Sequence, residues 1–189
     1  MEKYGKILTL SIFFIGFFCI GSIVSAESVG GVYLSQSIYD VEDMYGYPDK
    51  ELSNSLSQKF TGEDFSNLRH YYYKNGMIVH VDANDIVKAI SIVGGDRKLD
   101  NSGLTIGAGD WQWLIYSIPG YSAKSKVASD VDGINVVYVF KDTSDGSYIH
   151  VWMVGELSLH TTPYAKAITV SSLQHPQTGN VEHYGSWGY

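Results

Sequence analysis

Apolar and polar positions alternate in short runs along most of the chain, and helical spacing is confined to two stretches. Ile38, Val41, Met44 and Tyr45 recur at three- and four-residue intervals, which predicts a short helix. Ser35 or Ser37 can cap it, Gly46 can end it, and Pro48 blocks its continuation. Asp110 is placed to cap a second helix over residues 111–117, with Pro119-Gly120 as its stop. The remaining pattern is that of strands. Residues 71–74 and 77–82 flank Asn75-Gly76, a two-residue hairpin signal, and Asn84-Asp85 turns the chain into a strand at 87–93. Residues 134–141 and 148–154 flank a longer turn, and 164–171 forms the last strand. Residues 49–68 and 121–132 show neither period clearly, and each is expected to hold a further strand or an irregular crossover.

These elements come in two similar sets. Gly31-Val32-Tyr33-Leu34 and Gly103-Leu104-Thr105-Ile106 open them, 72 residues apart. Ile78-Val79-His80-Val81 matches Tyr148-Ile149-His150-Val151 at a spacing of 70. Val87-Lys88-Ala89-Ile90-Ser91-Ile92 matches Ala165-Lys166-Ala167-Ile168-Thr169-Val170 at 78. Three ordered matches at nearly constant spacing predict an internal repeat, with the drift taken up in loops. The expected organisation is a leader at 1–26, one unit at 27–95, a polar linker at 96–102, a second unit at 103–173 and a loose tail at 174–189. The fold class is α+β: each unit a short helical segment on an antiparallel sheet of three or four strands, with the two sheets able to join into one concave surface.

Composition narrows the setting. Lys3 and Lys6 precede an uncharged apolar run over residues 7–20, followed by Gly21-Ser22-Ile23-Val24-Ser25-Ala26. That order is that of a secretory signal peptide with cleavage after Ala26, and an apolar core of 14 residues is short for a membrane span. The mature protein is therefore expected to be secreted or periplasmic. Residues 27–189 carry 11 basic and 19 acidic side chains and contain no cysteine. A nucleic-acid partner is disfavoured by that charge, and intrachain disulfides and Cys-based zinc sites are excluded.

Alternation also sorts the strand residues into two faces. Met77, Val79 and Val81 share one face with Ile149, Val151 and Met153 in the second unit, and this aliphatic set is expected to lie against the helices. His80, Asp82, Tyr148, His150 and Trp152 share the other, together with Ala89, Ser91, Ala167 and Thr169. An open face that mixes aromatics, histidines and small residues suits protein binding, because Tyr and Trp bury much area at low entropic cost. The same aromatics also stabilise sheets through cross-strand pairs. His80 and His150 occupy matched places in the aligned segments, so a twofold arrangement would bring them together beside Asp82 as a zinc or pH-sensitive site.

The glycine-aliphatic opening, the helix ending near Gly46-Tyr47-Pro48, the Tyr71-Tyr72-Tyr73-Lys74-Asn75-Gly76 hairpin and the Val87-Lys88-Ala89-Ile90-Ser91-Ile92 strand carry a resemblance. Over residues 30–172 the chain resembles the superfamily of the beta-lactamase inhibitory proteins and the small outer-membrane assembly lipoproteins. The resemblance implies tandem helix-plus-sheet units whose joined sheets grip another protein. The chain departs from the inhibitors in lacking cysteine after residue 26, and from the lipoproteins in having Phe17-Phe18 before Cys19, where lipidation signals carry small residues.

No glycine-flanked serine elbow, mature cysteine nucleophile or His-Glu-x-x-His pattern occurs in the sequence. Gly94-Gly95-Asp96 and Gly107-Ala108-Gly109-Asp110 lack the lysine of a phosphate loop. The expected function is that of a non-enzymatic, cofactor-free module that binds another secreted or envelope protein through Tyr148, Trp152, His150, His80 and Asp82, inhibition being one version. The alternatives are a small metal-dependent hydrolase using His80, Asp82 and His150, and an envelope protein that associates with itself.

Overall fold

The computed structural model describes residues 27–107, 121–128, 135–142, 145–154 and 164–173. The leader, the tail and the expected helix at 111–117 lie outside them. The chain begins with a small hairpin of β1 (Ser28–Val29) and β2 (Val32–Tyr33), then α1 (Ile38–Tyr45), β3 (Lys50–Leu52) and α2 (Asn54–Thr61). Strands β4 (Arg69–Tyr73), β5 (Met77–Val81), β6 (Val87–Ile92), β7 (Tyr121–Ala128), β8 (Asn135–Asp142), β9 (Tyr148–Val154) and β10 (Tyr164–Ser171) follow. The result is an α+β fold around an antiparallel sheet of eight strands in the order β3-β4-β5-β6-β10-β9-β8-β7. No helix among the described residues is long and apolar enough to cross a membrane.

The aliphatic face lies under α1 and the small hairpin. Ser37 caps α1, its Oγ accepting from the Tyr39 N–H at 3.3 Å. Gly46 ends the helix at a φ of 76°, its N–H donating to the Glu42 carbonyl at 2.7 Å. Ile38 and Val41 thereby pack with Val29 and Val32 into one core with Met77, Val79, Val81, Ile90 and Ile92. The same core continues through Ile149, Val151, Met153, Ile168 and Val170 of the other half of the sheet. The hairpin between β4 and β5 differs from the two-residue expectation. Tyr73 faces Met77, so the loop has three residues, Lys74, Asn75 and Gly76. Gly76 takes a φ of 82° and donates its N–H to the Tyr73 carbonyl at 3.0 Å. A side chain there would run into the backbone of Gly94.

The second face is covered by α2, an element absent from the sequence reading of 49–68. Ser53 caps this helix, accepting from the Leu56 N–H at 3.3 Å, and Gly62 closes it in the left-handed region at a φ of 75°. Its inward residues are Ser57 and Thr61, both buried, whereas Leu56 and Phe60 are each 40% exposed. Phe60 stacks on Tyr72 with ring centroids 6.3 Å apart. Small hydroxyl residues let the helix sit close on β4 and β10.

The two four-stranded halves meet at β6 and β10. Ser91 faces Thr169 there, with Ile90 opposite Val170 and Ile92 opposite Ile168. Both joining strands carry a bulge at a lysine. His80 pairs with Ala89 but Val81 with Val87, leaving Lys88 out of register. Trp152 pairs with Ala167 but Met153 with Ala165, leaving Lys166 out in the same way.

Candidate functional site

Cross-strand register assembles a polar layer beneath α2. His70 on β4 faces His80 on β5, Ser91 on β6 faces Thr169 on β10, and Thr169 faces His150 on β9. The two Nδ1 atoms of His70 and His80 lie 2.8 Å apart. His80 Nε2 is 2.9 Å from Ser91 Oγ, and Ser91 Oγ is 2.7 Å from Thr169 Oγ1. The left-handed cap at Gly62 turns the chain so that Glu63 reaches inward, where its Oε1 is 3.0 Å from His150 Nδ1. Phe65 meets the His80 ring edge-on, with centroids 4.9 Å apart. None of His70, His80, His150, Ser91, Thr169 or Glu63 is more than 1% exposed.

Burial favours the neutral ring, so it pushes the pKa of His70 down, against the pull of the Glu51 and Asp64 charges. His80 is pushed well below the ordinary histidine range, first by burial and then by His70. A hydrogen bond between two Nδ1 atoms needs one N–H and one bare nitrogen. If His70 donates, His80 is free to donate its Nε2–H to Ser91, which in turn donates to Thr169. That assignment leaves His70 Nε2 as a bare, buried nitrogen without a hydrogen-bond partner among the described residues.

The residues singled out from the sequence fall into three places. His80 and His150 lie in the sealed layer. They do not hold equivalent register positions, because His80 faces Ala89 while His150 faces Thr169. Trp152, two residues on from His150, faces Ala167. Asp82 is set apart from both. The strand ends at Val81, and Asp82 Oδ1 accepts from the N–H groups of Asn84 at 2.9 Å and Ile86 at 3.1 Å. Those bonds, with Lys88 at 3.3 Å, hold its carboxyl below the usual range and make it a turn residue. His80, Asp82 and His150 therefore form no joint site, and among the described residues no three His, Cys, Asp or Glu side chains converge as metal ligands.

Tyr148 and Trp152 are half-buried at the far end of the same face, packed on Val137 and Val139. Lys141 Nζ lies 5.8 Å from the Tyr148 ring centre and Lys166 Nζ 4.1 Å from that of Trp152. Trp152 also supports the cover, since a Cβ on Gly62 would come within 2.7 Å of its ring. The sequence reading missed His70 and Glu63. The two-residue turn read at Asn75-Gly76 sets Tyr71 opposite His80, and only the three-residue loop brings His70 there; Glu63 carried no signal either. No family model, curated protein or solved structure matches the chain.

Proposed function

We propose that the chain is an exported, non-enzymatic protein-binding module built of two tandem units, on the plan of the beta-lactamase inhibitory protein and assembly lipoprotein superfamily. The tandem reading draws support from matched irregularities. Lys88 and Lys166 sit in corresponding bulges. Ser35 donates its N–H to the Val87 carbonyl and Gly107 to the Ala165 carbonyl, each at 2.9 Å, from residues that both have positive φ.

The observation that carries the binding reading is the Tyr148 and Trp152 pair on β9, half-exposed, each with a lysine over its ring. Such a surface buries aromatic area against a partner while Lys141 and Lys166 meet acidic groups on it. His80 and His150 serve the reading differently from expectation: they underpin the face from inside. Their sealed position also favours binding over a metal-dependent hydrolase, since neither imidazole reaches solvent. Inhibition of a secreted hydrolase is the specific version that the resemblance suggests.

The test is affinity capture from the producing cell's envelope and secreted fractions. The parent is compared with a Tyr148→Ala, Lys141→Glu variant whose fold is verified by circular dichroism. Loss of a captured protein in the variant supports the reading. Equal capture by both moves the surface elsewhere, and capture by neither removes the support for a binding module.

A further inference from the structure

The cover over the polar layer is held by few apolar contacts. Its inward helix residues are Ser57 and Thr61, and its larger side chains Leu56 and Phe60 remain substantially exposed. It is fastened at its rim by Phe60 on Tyr72 and over the layer by Phe65 on His80, Gly62 on Trp152 and Glu63 on His150. Two of the three contacts over the layer are made to imidazoles, so the charge of the layer bears directly on whether the cover stays down. We propose that the segment running from Ser53 through Phe65 is an acid-released cover, closed while His70 and His80 are neutral and opened when the pair takes up a further proton. The proposal needs no partner and stands apart from the binding reading.

The geometry limits what the pair can hold. At 2.8 Å the two Nδ1 atoms accommodate one proton between them, and a second on that axis breaks the bond. His80 Nε2 is already engaged with Ser91. With His70 donating to His80, the remaining proton site is His70 Nε2, which is buried and has no hydrogen-bond acceptor beside it among the described residues. Glu51 on β3 and Asp64 after the helix favour a charge on His70, and Leu52 opposite it is apolar. Glu63 is committed to His150 of β9. Ser91 of β6 and Thr169 of β10 offer hydroxyls bonded to each other, and Phe65 offers a ring edge. These groups leave burial dominant, and both imidazoles stay depressed. Lifting the cover solvates the rings, so protons drive the opening by mass action.

Hydrogen exchange of the full chain between pH 7.5 and 5.5, corrected for the chemical rate, reads this directly. The opening constant of the peptide spanning 54–65 should rise about tenfold per pH unit below 6.5 for each imidazole that is neutral while covered. The β6 peptide should keep its protection over the same range. A His70→Gln, His80→Gln variant should lose the pH dependence of the cover. NMR titration of the two rings in the parent gives the same answer if that variant does not fold: both must titrate below the ordinary value. The proposal is overturned if cover and β6 open together, if exchange of the cover is flat with pH, if the variant keeps the parent's dependence, or if either ring titrates normally.

Discussion

The two faces of the one sheet are packed in opposite ways. Under α1, Val79, Ile90, Val151 and Ile168 meet Ile38 and Val41 in a hydrophobic core. Under α2, three histidines, a glutamate and hydroxyl groups are taken from water and bonded to one another, with His70 Nε2 left over. The first arrangement is stable at any pH and indifferent to small changes of orientation, because burial of apolar area has no direction. The second depends on geometry and on protonation, because each buried polar group left without its partner carries a desolvation cost. One sheet thus has a side that supplies stability and a side that specifies how, and under what conditions, its cover is seated.

That contrast can be broken most severely on the aliphatic side. Ile90→Ala should cost about 2–5 kcal/mol, with the same loss at pH 7.5 and pH 5.5, measured by urea unfolding. On the polar side, Glu63→Ala removes the carboxyl bonded to His150 Nδ1 and should cost about 1–3 kcal/mol, read the same way. The parent itself should lose stability as pH falls. His70 and His80 bind protons more readily when unfolded, so their contribution is intact above about pH 6.5 and declines below it. The decline is up to about 1.4 kcal/mol per pH unit for each ring until its depressed native value is passed. Ser91→Ala removes the link between the two halves of the layer and should cost about 1 kcal/mol. Tyr148→Ala should change stability by under about 1 kcal/mol while it weakens capture of a partner, which would separate recognition from packing.

The difference between the faces also explains what was legible in the sequence. The alternation in β5 and β9 assigns every aliphatic residue of the core to its observed side, and Ser37, Gly46 and Pro48 bracket α1 closely. On the second face His80, His150, Ser91 and Thr169 were legible as well; His70, Glu63 and the cover were not. Helix α2 turns Ser57 and Thr61 inward and leaves Leu56 and Phe60 partly out, so its pattern inverts the usual signal for a packed helix. Without that cover the face reads as open, and His80 and His150 read as surface groups. His80 and His150 were matched on residue types alone, and a match of that kind carries no information on register.

The junction of the two halves has a consequence for assembly. Strands β6 and β10 join the halves through backbone pairing, the Ser91–Thr169 hydroxyl contact and the facing aliphatic pairs Ile90–Val170 and Ile92–Ile168, and the same junction could form between halves of two different chains. Exchange of that kind is restrained by the connection between them. Asp100 accepts from the N–H groups of Gly30 and Gly31, and Glu27 from those of Asn101 and Ser102, at 2.8 to 3.2 Å. Leu99 and Leu104 are buried and joined by a backbone bond of 2.8 Å. The connector is therefore fastened to the first half of the chain. Loosening it, for example by Asp100→Ala, would be the direct route to interlocked pairs of molecules at high protein concentration.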